Sequence, residues 1–186
     1  MYEGNNPTAL SSREWLINAF LSLMETKPYS KITVKDICRK ADLSRQTFYN
    51  FFESKEDIIL FCIKRCYLEM MEALKSKSAL SLSDITEELV KTFQKNQDMI
   101  HLIISQHLEH LLEHQLASVI RIFAERVNPD VSSHPHEYGT VFLTGAIAHT
   151  VIYWFQDSQP ISSGQLAVLL ENILSGNYYV IKDPIT

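Results

Sequence analysis

Between Thr33 and Lys55 the chain reads T-V-K-D-I-C-R-K-A-D-L-S-R-Q-T-F-Y-N-F-F-E-S-K, two short helical patterns joined by a tight turn, with a third helix opening at its end. Thr33 is placed to cap the first helix, with Asp36 three residues on as an imperfect capping box. Val34, Ile37, Cys38 and Ala41 recur at the spacing of one helix face. Asp42 falls where the chain has to turn, and Asp is among the few residues besides Gly that tolerate a left-handed backbone. Leu43 plugs the turn, Ser44 caps the next helix, and Phe48, Phe51 and Phe52 supply that helix's buried side. Two caps around so short a turn fix a helix-turn-helix more tightly than any other stretch of the chain fixes anything.

The other side of the second helix is Arg45, Gln46, Thr47, Tyr49 and Asn50. In a helix-turn-helix the early residues of the second helix enter the major groove, where Arg pairs with guanine and Gln with adenine. Ser54 caps the third helix and Lys55 lies in its first turn, so free amides plus a cation are expected to clamp a phosphate there. The candidate DNA-contacting set is Thr33, Lys35, Ser44, Arg45, Gln46, Thr47, Tyr49, Asn50 and Lys55. A helical hairpin with a solvated polar face carries similar residues. The concurrence of both caps, the three-residue turn and the following Ser-Lys sets this stretch apart.

The run I-T-V-K-D-I-C-R-K-A-D-L-S-R-Q-T-F-Y-N-F-F-E-S-K-E-D-I-I resembles the DNA-binding domain of the TetR family of transcriptional regulators. The resemblance is carried by Ala41, Leu43, Ser44, Thr47, Tyr49, Phe52, Lys55 and Glu56. Two residues depart from the pattern: Asp42 stands where a turn Gly is usual, and Gln46 where Gly is frequent on the reading helix. The first strains the turn and the second changes which bases are read. The resemblance implies an all-α fold of about nine helices: a helix-turn-helix domain over residues 1–53, then a regulatory and dimerisation domain over residues 54–186, with the helix at 54–75 joining them. It also implies a cytoplasmic homodimer on a near-palindromic duplex, a repressor released by a small molecule, and no catalysis.

Composition agrees with this picture. Five Gly and six Pro leave little room for a turn-dense β fold, and three dispersed Cys fit a reducing compartment rather than a disulfide framework. The N-terminal M-Y-E-G-N-N-P-T lacks the basic and then apolar run of a secretory leader. A net charge of −5 argues against a DNA binder until its distribution is examined. Residues 1–78 carry twelve Lys and Arg against ten Asp and Glu, whereas residues 79–186 carry five against twelve. Phosphate affinity follows local charge, and so small a basic excess needs two copies to be useful.

Before the central stretch, Ser11-x-x-Glu14 is a capping box, predicting a helix from there to about Thr26 that buries Leu16, Ala19, Phe20 and Leu23. Residues 75–83, K-S-K-S-A-L-S-L-S, are the clearest linker. From Ser83 the pattern is helical, with Ile85, Leu89 and Phe93 four apart. Asp98 opens a short helix to Ile104, and a longer one runs to about Val127 with Leu108, Leu111 and Leu112. Asn128-Pro129 ends it, and residues 131–136 are expected as loop. Ser162 or Ser163 opens a last helix, which Gly176 ends.

Residues 138–156 contain no Lys, Arg, Asp or Glu, a length that invites a membrane-span reading. Gly139, Thr140, Thr144, His149 and Thr150 dilute the run and no basic flank orients it, so a helix buried in protein is expected. The family resemblance makes the burial partner a second copy, the last two long helices of each subunit forming a four-helix bundle. The expected interface residues are Phe142, Gly145, Ala146, Ile152, Trp154, Leu166, Leu169, Leu170 and Ile173. The F-L-T-G-A run followed by Trp154 further resembles relatives of the dihydroxyacetone kinase regulator. That likeness keeps open an alternative, a co-regulator whose C-terminal region binds a protein rather than a small molecule.

Phe93, His107, Leu111, Phe142 and His149 are the candidate effector-pocket residues. His107, His110 and His114 fall at i, i+3, i+7, a spacing that could present three imidazoles to a divalent metal. A polar helix face explains them as well, and no metal or cofactor is expected. Cys62 and Cys66, four apart among Ile58, Ile59 and Met70, read as buried thiols. No phosphate-binding glycine loop, nucleophile elbow or H-E-x-x-H motif occurs.

Overall fold

The computed structural model describes residues 7–75, 77, 80–127, 133–158 and 160–178, and every regular element among them is helical. In chain order these are α1 (Pro7–Met24), a 3-10 turn (Tyr29–Lys31), α2 (Val34–Ala41), α3 (Arg45–Phe51), α4 (Lys55–Lys75), α5 (Leu82–Lys95), α6 (Gln97–Ser105), α7 (Glu109–Val127), α8 (Ser133–Gln156) and α9 (Ser163–Leu174). The all-α expectation holds.

The chain divides into two compact units. One comprises residues 1–64 and 98–115, the other residues 65–97 and 116–186. In the first, α1, α2 and α3 pack on one another. Leu16, Ile17, Phe20 and Met24 of α1, Ile37 of α2, Phe48 of α3 and Ile58 and Ile59 of α4 are all fully buried. Phe52 lies 5.9 Å from both Phe48 and Phe61, at tilted and edge-on angles that suit ring quadrupoles. Ile100 and Ile103 of α6 belong to the same unit and are buried.

The second unit is built on α5. Its Val90 packs with Leu166, Ala167 and Leu170 of α9, joined by Trp154 and Leu169. Leu89 also reaches a cluster of Met70, Leu74 and Val119, and another of Ile120, Ile147 and Val151 that Phe93 and Phe155 border. Ser81 and Asp84 close a reciprocal capping box on α5, and Ser162 and Gln165 do the same on α9.

Several boundaries differ from the sequence reading. α1 opens at Pro7, so Ser11 is interior to the helix and does not cap it; Pro is favoured in a first turn, where its missing N–H has no intrahelical partner. α5 opens at Leu82 because Ser81, rather than Ser83, makes the cap. α8 already includes residues 133–136, which were expected as loop; residues 128–132, with Asn128-Pro129, lie outside the described set. Ser76, Ser78 and Ala79 of the expected linker and Gln159 lie outside it too. Gly176 does end α9, at φ +77°, with Asn177 N–H donating to Asn172 C=O at 2.8 Å.

Candidate nucleic-acid interface

The turn between α2 and α3 is built from the residues that announced it. Asp42 sits in the left-handed region at φ 53°, ψ 43°, and Leu43 N–H donates to Cys38 C=O at 2.9 Å, closing α2. The Cys38 thiol lies 3.7 Å from Ser44 C=O, and burial raises its pKa, which keeps it an inert packing group. Ser44 Oγ accepts from Thr47 N–H at 3.0 Å and lies 2.8 Å from Thr47 Oγ1. The two hydroxyls serve the cap first.

At about 100° per residue, Arg45, Gln46, Tyr49 and Asn50 fall within an arc of about 140°, while Thr47, Phe48 and Phe51 point the other way. The structure agrees: all four are exposed, Phe48 and Phe51 are buried and Thr47 is half-buried. Tyr49 is 57% exposed yet held edge-on against Phe48, ring centroids 5.4 Å apart. The result is a short, rigidly backed helix with a guanidinium, a carboxamide, a phenol and a second carboxamide on its open side.

On α2, Thr33 and Asp36 form a complete capping box, better than the sequence suggested. Asp36 also takes Lys27 Nζ at 2.7 Å and Arg39 at 3.3 Å. The hydrogen bond from Lys27, then those from Thr33, hold its carboxyl far below the usual carboxylate range. Lys35 is exposed beside them.

Lys55 is a correction. Its ammonium donates to Tyr29 C=O at 2.6 Å and Ile32 C=O at 2.9 Å and sits 3.9 Å from the Tyr29 ring centroid. It is spent on the backbone between α1 and α2 rather than offered to a phosphate. Nor are the amides ahead of α4 free: Glu53 and Ser54 N–H both donate to Asp57 Oδ2, at 2.9 and 2.8 Å. Burial, with lesser contributions from Glu56 and Asp57, pushes the Tyr29 phenol up to about 12.

The candidate effector residues do not gather in either unit. His107 and Leu111 belong to the first unit and Phe93, Phe142 and His149 to the second. Phe142 is 70% exposed, and His149 is exposed with Nδ1 2.9 Å from Gly145 C=O. A helix apolar nearly all round gives no period from which to tell its inner side. The three-histidine face is not assembled, because His107 lies ahead of α7 at φ 57°. Among the described residues no group of three or more potential metal ligands is brought together. Cys62 is buried, and burial raises the Cys66 thiol pKa.

The expected interface set separates in two. Leu166 and Leu170, 1% and 3% exposed, are spent within the chain against Val90, so they are not free to meet a second copy; Leu169 leans on the same cluster. Trp154 is half-buried, its indole N–H donating to Ile161 C=O at 2.6 Å. Phe142 and Ile173 are exposed, and Gly145, Ala146 and Ile152 half-covered. Missed in the sequence were Val141 and Tyr153 of α8 and Val168 of α9, all largely exposed. Tyr138, Val141, Phe142, Gly145, His149, Ile152 and Tyr153 recur at three and four and make one stripe along α8. Among the described residues no helix is long and apolar enough to cross a membrane.

Two family models match the chain: bacterial regulatory proteins of the tetR family over residues 16–61, and a transcriptional regulator C-terminal region over residues 81–176. A curated relative, the HTH-type dhaKLM operon transcriptional activator DhaS of Lactococcus lactis, is 30% identical over 67 residues, 36% of each chain. The match thus spans about a third of that relative's length. Among solved structures, Lin0861 of Listeria innocua superposes with a TM-score of 0.78 at 18% identity, covering 95% of this chain and 96% of the other. The Thermus thermophilus TetR-family repressor FadR, solved with lauroyl-CoA, gives 0.63 at 16% identity, covering 94% and 98%. At these identities the two structures speak to the fold alone.

Proposed function

The chain belongs to the TetR family of bacterial regulatory proteins, and on that premise we propose that it is a cytoplasmic homodimer that represses from a near-palindromic duplex site until a small molecule releases it. TetR-type transcriptional regulation is the family's work and involves no catalysis. The observation that carries the reading is the open side of α3. Arg45, Gln46, Tyr49 and Asn50 share it, and a cap and a wall of Phe hold it rigid. Arg45 and Gln46 have the chemistry to read guanine and adenine edges. Thr33, Lys35, Ser44 and Thr47 flank the groove, where hydroxyls and one ammonium suit phosphate oxygens.

Pairing is assigned to the α8 stripe around Phe142, Gly145 and Ile152, joined by Ile173 and Val168 of α9. So large an exposed apolar stripe calls for a partner surface. Two copies put two α3 helices on successive major grooves, about 34–36 Å apart. The effector is assigned to the second unit beside Phe93. On α8, one turn before Ile147 of the cluster that Phe93 borders, Thr144 Oγ1 is buried with no hydrogen-bond partner, a position a polar ligand group would satisfy. If the C-terminal region instead receives a protein, as the alternative has it, the α8 stripe is the surface that would take it.

Selecting bound duplexes from a random pool, then titrating the selected site into a reporter strain lacking and containing the chain, tests this. A near-palindromic consensus and lower reporter output are expected. Raised output would give the activator sign that the Lactococcus relative carries, and no consensus would reject the reading.

A further inference from the structure

The residues from 98 to 115 lie within the C-terminal family region, yet they cluster with the helix-turn-helix. Gln106 joins them to it. α6 ends at Ser105, and His107 takes the left-handed conformation at φ 57°. Its N–H donates to Ile104 C=O at 3.1 Å and Leu108 N–H donates to Ile103 C=O at 3.0 Å. This is the double closure that ends a helix in a sharp corner, here with a His where Gly is usual. Leu108 is buried behind it, so the corner is held at both ends.

From that corner the Gln106 carboxamide reaches the connection between α1 and α2. Nε2 donates to Met24 C=O at 2.9 Å, and Oε1 accepts from Tyr29 N–H at 2.8 Å. One is a last-turn carbonyl of α1 and the other an amide at the opening of the 3-10 turn, two groups that helix ends leave without partners. The chemistry is selective. A carboxylate there has nothing to donate to Met24, and an ammonium nothing to accept from Tyr29. The same Tyr29 peptide is held on its other side, because its C=O accepts from Lys55 of α4. Two residues beyond the end of the turn, Thr33 and Asp36 set the start of α2, and Asp36 is tied back to Lys27 in the same connection.

We infer that Gln106 is a positioning residue. By gripping the α1–α2 connection at Met24 and Tyr29, it transmits the placement of the α6–α7 corner to the platform on which α3 stands. The corner is continuous in sequence with α5 on one side and with the rest of α7 on the other. A change there is passed to the reading helix through one carboxamide, besides whatever passes along α4. This rests on the proposal that α3 reads DNA, but the grip itself can be tested without DNA.

The variants are Gln106→Ala, and Gln106→Glu, which keeps length and one acceptor but sets a second oxygen against Met24 C=O. Amide hydrogen exchange is followed in the free chain, with α5 and α9 as internal controls. Faster exchange at Tyr29 and through α2 and α3, on the order of tenfold, with the controls unmoved, is the expected result. Unchanged exchange, or an equal rise in both units, overturns the inference. The second arm compares affinity for a duplex selected by the wild-type chain with affinity for an unrelated duplex of equal length. Loss of discrimination by on the order of tenfold, at unchanged self-association, is expected. Discrimination kept within about twofold overturns the transmission. If the wild-type chain enriches no duplex, it is the DNA reading that fails, and the exchange arm still decides the grip.

Discussion

The outer sides of α3 and α8 are opposites. α3 buries its Phe residues and shows the solvent two amides, a guanidinium and a phenol; α8 buries Thr140 and Thr144 and shows the solvent Val141, Phe142 and Tyr153. A polar side chain on the surface costs nothing to leave there, and its hydrogen-bonding groups are free to meet a base or a phosphate. An exposed apolar stripe is stabilised only when something covers it, at about 25 cal/mol per Å² of area removed from water. On the proposed function the contrast divides the labour: a face that reads DNA has to stay wet until its target arrives, and a face that pairs with a second copy has to be dry.

The largest effect expected from breaking this contrast comes from Phe142→Glu. A buried Phe contributes about 1.5–3 kcal/mol and is lost from both copies, so self-association weakens on the order of a hundredfold or more. Sedimentation of the two proteins checks it, and equal association constants would remove α8 from the interface. Gly145→Leu sharpens the same point. A Cβ added there meets no surrounding heavy atom within 4 Å in the single chain, and replacing a mid-helix Gly favours the helix by roughly 1 kcal/mol. The monomer should thus be as stable or more so while pairing is lost. A variant that still pairs would show that the helices do not approach closely at Gly145.

Next in size is Arg45→Ala, expected to cost about 1–3 kcal/mol on the selected duplex and to relax choice at one base position. An equal loss on every duplex would make Arg45 a phosphate contact. Lys55→Met should behave differently. It removes charge-assisted hydrogen bonds worth about 1.5–3 kcal/mol each at most, discounted for partial exposure, so denaturation shifts while the salt dependence of DNA binding stays. A shallower salt slope would restore the phosphate role.

The local half of this comparison was legible in the sequence and the long-range half was not. Caps, turn and the exposed polar side of α3 all follow from neighbours within four residues: Thr33 with Asp36, Asp42 with Cys38, Ser44 with Thr47. Lys55 and Gln106 were not legible, because their partners lie 23 or more and 77 or more residues away, and a Lys or Gln in a helical stretch gives no sign of which distant backbone group it meets. α8 hid its outer side for a different reason. With apolar residues all round it has no period, so the sequence placed Phe142 equally in a pocket and at an interface, and gave no sign that it is exposed in the single chain. α9 has apolar residues on two sides, and Leu166 and Leu170 turned out to face α5.

Smaller effects probe what lies behind each face. Thr144→Val keeps the shape and removes the unpartnered hydroxyl, so it should raise stability by up to about 1 kcal/mol in the effector-free chain. A loss instead would show the hydroxyl to be partnered. Behind α3, Asp36 has its carboxyl pKa lowered by Lys27 and Thr33. Its contribution is therefore present at neutral pH and is lost as pH falls below about 4 toward the folded value. Denaturation of Asp36→Asn and wild type should differ at pH 7 and converge in acid; a gap that widens in acid would reverse the sign.

The most direct test is a hydroxyl-radical footprint on the selected duplex, with the number of bound chains measured in the same solution. Two chains and two protected patches one helical turn apart, both erased by Phe142→Glu, are predicted. One chain with a single patch, or protection spread evenly along any duplex, would contradict the account.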